Sequence, residues 1–131
     1  MPRPVVAAIQ WVPPSDPRIK WNVDGSSLGK PGEASIGGVS RNSNRDFLCI
    51  FSYHIGLEVS NMAKINAIAK ALEILVSKGL LMIQPCVESD SNNTLAWVAA
   101  TAEVPWRMRM VANKTHVLSK FFSWVAFRHT P

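Results

Sequence analysis

Only two cysteines, Cys49 and Cys86, occur in the 131 residues, too few for a disulfide framework. A reducing intracellular compartment, cytoplasm or nucleus, is the simpler expectation, with both thiols acting as small buried hydrophobes. Histidine is as sparse: three scattered copies and no close Cys/His spacing exclude a structural zinc site. No apolar run approaches ~18 residues, which excludes a transmembrane helix and a membrane partner. The stretch from Val5 to Ile9 is too short and too closely bounded by proline for a signal peptide. What is present suits one globular domain: 47% of the residues are hydrophobic, enough for a core without staples.

Acid is also missing from one end. Residues 1–103 hold nine basic and nine acidic residues, whereas residues 104–131 hold five basic residues and no acid, so the whole +5 belongs to the last stretch. Such asymmetry points to an anionic partner, nucleic acid being the commonest, and it also fits a solvated basic helix face.

Residues 1–17 carry five of the nine prolines without periodicity and read as a linker or docked arm. Arg18 to Asp24 alternates, with Ile19, Trp21 and Val23 on one face, and predicts a strand. A Gly/Ser/Pro turn over Gly25 to Glu33 leads to a second strand, Ala34 to Arg41. A polar turn, Asn42 to Asp46, leads to a third, Phe47 to Tyr53, which completes an antiparallel meander. Asn61 to Lys78 predicts a helix, with Ser60 as N-cap and Gly79 at its stop. A strand over Leu81 to Ser89 places Asp90 at its C-terminal end. A short helix over Ser91 to Ala100, a helix from Pro105 to Lys120 and a strand over Ser123 to His129 follow. The order β-β-β-α-β-α-α-β predicts an α/β layer on a mixed sheet.

On the Asn61–Lys78 helix, at ~100° per residue, Asn66, Lys70, Glu73 and Ser77 form the solvent face. Lys64 falls instead on the side of Ile65, Ile68, Leu72 and Leu75. A lysine there faces apolar neighbours and sits near the positive end of the helix dipole. Either it snorkels past the helix end or it faces carboxylates. Asp24 and Asp90 end two strands that, if parallel neighbours, deliver both side chains to one sheet edge, where α/β sheets bind ligands.

Trp21-Asn22-Val23-Asp24-Gly25-Ser26, then Gly32-Glu33-Ala34-Ser35-Ile36-Gly37-Gly38-Val39, resembles the opening of the ribonuclease H type 1 fold, most closely its plant reverse-transcriptase-like branch. Glu88-Ser89-Asp90-Ser91, Trp97, Pro105-Trp106 and Phe127-Arg128-His129 continue the likeness in order over residues 18–131. It implies a mixed five-stranded sheet, three antiparallel strands and then parallel ones, with helices on its faces. It also implies hydrolysis of the RNA strand of RNA–DNA hybrids by two magnesium ions held by four carboxylates, with a histidine assisting.

Asp24 fits the first carboxylate, Asp90 the third and His129 the histidine, so these three are the candidate catalytic residues, with Asp24 and Asp90 as weak metal ligands. The second carboxylate belongs to a glutamate in an Ala-Glu-hydrophobic-x-Ala motif. Here that motif is Ala63-Lys64-Ile65-Asn66-Ala67, so Lys64 substitutes the catalytic position. The fourth lies on a closing helix beyond the histidine, and this chain ends two residues after His129, as a domain truncated at its C-terminus. Glu88, two residues from Asp90 on the same strand face, is a further candidate ligand. Glu73 lies ~180° round the helix from Lys64 and cannot substitute.

The expectation is a ribonuclease H-like domain that binds RNA–DNA hybrid or RNA, with weak or absent Mg²⁺ binding and impaired or lost cleavage. Its nucleic-acid contacts would be Arg107, Arg109, Asn113, Lys114 and Lys120. Arg109, Asn113, His116 and Lys120 share an outward helix face opposite Met110, Val111, Leu118 and Phe121. The alternative is a non-enzymatic interaction or dimerisation module on a degenerate fold, a homo-oligomer joined through apolar sheet surface near Trp124 or Phe127 that the missing helix leaves open. The five tryptophans read as core and edge packing.

Overall fold

The structure is a computed structural model, and it describes residues 4–7, 17–99 and 103–130. Its elements are β1 (Pro4–Ala7), β2 (Arg18–Ser27), β3 (Gly32–Arg41), β4 (Phe47–Glu58), α1 (Ser60–Ser77), β5 (Gln84–Ser89), α2 (Asn92–Val98), a 3₁₀ turn (Trp106–Met108), α3 (Arg109–Ser119) and β6 (Ala126–His129). They form one sheet in the order β1-β4-β3-β2-β5-β6. β2, β3 and β4 are antiparallel neighbours, while β5 joins β2 and β6 joins β5 in parallel. The five expected strands and their mixed pairing are present. No helix follows β6 among the described residues.

The alternation in β2 decides the layering. Ile19, Trp21 and Val23 are buried, while Arg18, Lys20, Asn22 and Asp24 are exposed. The buried set meets α1, whose Ile65, Ile68, Leu72 and Leu75 are fully buried in the same core. Trp21 lies at its centre, with its ring 5.5 Å from that of Phe51. Burying such side chains contributes about 1.5–3 kcal/mol each, so this seam dominates the stability of the domain.

Several boundaries depart from the sequence reading. β1 is an unexpected sixth strand, antiparallel to β4, with Pro4 opposite Tyr53 and Ala7 opposite Ile50; the rest of the proline-rich arm, apart from Pro17, lies outside the described residues. β2 continues to Ser27 and β3 starts at Gly32, because the strands pair through what read as a turn. β4 runs on to Glu58 rather than stopping at Tyr53. Ser60 is the first helical residue rather than the N-cap; Val59 holds the cap position, with no side-chain bond. The stop at Gly79 stands: its φ of +70° lets the Gly79 amide donate to the Val76 carbonyl and the Leu80 amide to that of Leu75, each at 3.0 Å. β5 begins at Gln84 and β6 at Ala126, both later than expected. The expected end of α2 at Ala100 lies outside the described residues. No described helix is long and apolar enough to cross a membrane.

Candidate active site

Parallel pairing of β2, β5 and β6 places the C-terminal ends of all three strands at one sheet edge. Asp24 lies near the end of β2, Asp90 directly follows β5, and His129 ends β6 opposite Ser89. The Thr130 amide donates to the Ser89 carbonyl at 2.9 Å and fixes that corner. α1 enters over the same edge, with Lys64 one turn into the helix.

Gly25 permits the close approach. A Cβ at this position would stand 2.3 Å from the Ala63 carbonyl carbon and 2.5 Å from the Lys64 nitrogen, so β2 can lie against the α1 backbone only because residue 25 has no side chain. The Gly25 amide also donates to Asp24 Oδ1 at 2.9 Å, which orients that carboxylate. On the β5 side, Ser91 caps α2 by accepting from the Thr94 amide at 3.3 Å, and its own amide donates to Ser89 Oγ at 3.2 Å. Those bonds hold the turn that carries Asp90.

Lys64 Nζ donates to Asp24 Oδ1 and to Asp90 Oδ1, both at 2.9 Å. Of the two readings open at that position, the structure therefore shows the one in which the lysine faces carboxylates. The ammonium is mostly covered, with 18% of its side chain exposed, whereas Asp24 and Asp90 keep 67% and 51%. Burial alone would lower the lysine pKa. The hydrogen bonds and charges of Asp90 and Asp24 outweigh that, and hold it above the usual lysine value. Because water screens the aspartates, each pair contributes about 0–1 kcal/mol to stability.

The donor set does not fit a divalent metal. The two carboxylates that would hold it already accept from an ammonium at hydrogen-bond distance, and an approaching cation would meet like charge. Among the described residues, no group of three or more His, Cys, Asp or Glu side chains is placed to hold a metal ion. Glu88 does not join Asp24 and Asp90 in any ion pair: it is buried, and its carboxylate meets Lys20 Nζ at 3.5 Å. Glu58 ends β4 and lies 3.9 Å from Arg107. His129 is exposed at the edge beyond Asp90.

The basic helix departs from its expected wheel. Its core side is Met108, Ala112 and Thr115, while Met110, at 82% exposed, and Phe121, at 51%, stand in solvent. Val111 and Leu118 are half-buried against the core as expected, but the helix is turned so that Ala112 and Thr115 face inward, which at ~100° per residue carries Met110 out to solvent, and Phe121 lies beyond the end of α3 at Ser119. Arg109, Asn113 and Lys120 are exposed as expected. Lys114 is committed to Glu73 at 2.6 Å, which ties α3 to α1, and Arg107 leans toward Glu58. Trp106 is 77% exposed and so packs in no core. Cys49 is buried, but Cys86 is only half-buried and faces away from α1.

Sequence reasoning missed Gly25, which read as a turn glycine. The signal was present in Asp24-Gly25, a glycine two residues beyond a buried strand position, but its partner is backbone 38 residues away in sequence, at Ala63.

Known proteins place this geometry. A ribonuclease H1 from the archaeon Halobacterium salinarum has a solved structure that superposes with a TM-score of 0.80 at 23% identity, covering 87% of this chain and 86% of that one. An N-terminal ribonuclease H domain from Mycobacterium tuberculosis also gives 0.80, at 21% identity over 87% of each chain. A ribonuclease H1 isolated from compost, in complex with RNA/DNA hybrid, gives 0.80 at 26% identity, covering 86% of this chain and 85% of that one. No curated protein sequence matches significantly. The sequence pattern of the reverse transcriptase-like family matches residues 22–131, and with the ribonuclease H sheet order and helices also in place, the chain belongs to that family.

Proposed function

We propose that this domain binds RNA–DNA hybrid or a related nucleic acid, and that its hydrolytic activity is impaired or lost. The observation that carries this reading is Lys64 Nζ lying 2.9 Å from both Asp24 and Asp90. Two-metal hydrolysis needs several carboxylates free to bind hard cations, one ion to activate water and one to stabilise the leaving oxygen. Here a fixed monovalent charge sits between the pair instead and offsets half of its negative charge. Binding draws its support from two sources: the exposed Arg109 and Lys120 on α3, and the hybrid held by the compost ribonuclease H1 of the same fold.

A hybrid-cleavage assay with Mg²⁺ or Mn²⁺, run beside hybrid binding at two salt concentrations, tests both halves. The expected result is binding that weakens with salt, and cleavage so slow that Asp24→Asn and Asp90→Asn do not reduce it. Replacing Arg109 and Lys120 with alanine weakens hybrid binding and flattens its salt dependence. Robust wild-type cleavage abolished by either aspartate change overturns the loss of activity; salt-independent or absent hybrid binding overturns the rest.

A further inference from the structure

The solvent side of α3 carries an apolar line that the proposed hybrid contacts leave unused. Met110 and Val117 lie two helical turns apart on α3. Trp106, in the 3₁₀ turn, extends the line one turn before Met110, and Phe121 extends it one turn beyond Val117. All four residues are more than half exposed. Together they present on the order of 400 Å² of apolar surface, a size that marks an interaction site rather than scattered exposure.

Cations border this line on both sides, and the two sides differ. On one side, Lys114 meets Glu73 at 2.6 Å and Arg107 lies 3.9 Å from Glu58, so both charges are matched within the fold. On the other side stand Arg109, Asn113, His116 and Lys120, all exposed. Arg109 donates through Nε to the Val104 carbonyl at 3.4 Å, and no ion pair engages Arg109, His116 or Lys120 among the described residues. No acid occurs from residue 104 to residue 131 to balance them.

We infer that this face docks an acidic amphipathic helix of a partner protein. Nucleic acid would satisfy the cations and leave the apolar line in water. A second copy of this chain would set one row of unmatched cations against another. A helix that carries an apolar stripe beside glutamates or aspartates satisfies both features at once. The shape of the surface also selects a helix. The line is one side chain wide and about 22 Å long, at ~1.5 Å of rise per residue, which suits two helices packed ridge into groove. Met108 and Ala112 anchor α3 in the core from its opposite side, and the Lys114–Glu73 pair ties it to α1, so the line is presented from a fixed helix. This goes beyond the proposed hybrid binding and does not rest on it. Because Arg109 and Lys120 serve both partners, the helix and the hybrid should exclude each other.

The test is fluorescence anisotropy of the full chain with a labelled synthetic peptide of about 20 residues, leucine at its a and d positions and glutamate at the flanking ones. A control peptide has the same composition with the leucines scrambled. The variants are Met110→Ser combined with Val117→Ser, and Arg109→Ala combined with Lys120→Ala. The amphipathic peptide should bind wild type at least about ten-fold more tightly than the scrambled one, and unlabelled hybrid should displace it. The serine variant should lose about ten-fold in peptide affinity and keep its hybrid affinity within about two-fold. The alanine variant should lose several-fold and show a flatter salt dependence. Wild-type amide shifts at Met110, Asn113 and Val117 on titration with the peptide give the same reading should a variant fail to fold. Equal binding of both peptides, or peptide affinity unchanged in the serine variant, overturns the inference. So does a wild-type dimer that the serine variant abolishes, which assigns the face to a second copy, or a loss of hybrid binding in that variant, which assigns it to nucleic acid. Failure of the proposed function reads separately, as absent hybrid binding by wild type.

Discussion

Two charge clusters on α1 are mirror images of each other. At one end, Lys64 stands as a cation between two carboxylates, Asp24 and Asp90. Nine residues on, Glu73 stands as a carboxylate between two cations, Lys70 at 2.7 Å and Lys114 at 2.6 Å. The first ties α1 to the strand ends, and the second ties it to α3. The second is ordinary surface electrostatics: an i,i+3 pair plus a bridge between neighbouring helices. The first draws three elements to the place where a ligand would act, and it alone depends on a backbone contact with no room for a side chain. Similar ion pairs therefore do different work, and the difference lies in what backs them.

The change with the largest expected effect tests that backing. Gly25→Ala drives a Cβ into the Ala63–Lys64 backbone and should destabilise the domain by about 3 kcal/mol in urea unfolding, because backbone cannot swing aside. No substitution at Lys70, Glu73 or Lys114 should approach that. A Gly25→Ala protein of wild-type stability would mean that the two clusters are backed alike.

Next comes the chemistry. Lys64→Glu converts the first cluster into three carboxylates and should create Mg²⁺ binding at least ten-fold tighter than wild type by calorimetry. Reversing Glu73 to lysine should leave metal affinity where it was. An unchanged titration for Lys64→Glu would remove the special status of that edge.

Stability should separate the clusters far less. Lys64→Met and Glu73→Gln should each cost about 1 kcal/mol or less, since every pair involved is partly solvated. A loss well above that in either variant would show a cluster stronger than screened pairs allow.

The subtlest separation is by pH. The lysine pKa is raised on folding, so the contribution of Lys64 is complete below the unfolded value of ~10.4 and fades as pH climbs through the higher folded value. Glu73 behaves oppositely. Burial would raise its pKa, but hydrogen bonds and charge from Lys114 and Lys70 prevail and lower it. Its contribution is present above the unfolded value of ~4.3 and fades as pH falls through the depressed one. Urea midpoints measured across pH should show Lys64→Met flattening only the alkaline limb and Glu73→Gln only the acid limb.

The unusual cluster was readable from the sequence because its signals are periodic. Helical phase alone marks Lys64 as facing the wrong way, and strand alternation puts Asp24 and Asp90 at strand ends. Parallel pairing of β2 with β5 then brings them together. Features set by partners were less legible. β1 is only four residues long and contains a proline, and its pairing groups are met by β4 rather than by any pattern of its own. β4 passes through Gly56, at φ +84°, where alternation breaks but the ladder with β3 continues past a bulge. Counting charge by region also misses that Arg18, Lys20, Arg41, Arg45 and Arg128 gather on the face turned away from α1, with Glu88 among them, because β2, β3, β5 and β6 bring them together from distant parts of the sequence.

The lysine between the two aspartates is, in effect, a counterion on a covalent leash. A metal at such an edge exchanges with the medium, and its occupancy follows the free ion concentration. An ammonium carried by α1 cannot diffuse away, compete with other ions or be withdrawn by a chelator. The charge balance of this edge is therefore written into the polypeptide, and EDTA should leave the melting temperature where it was.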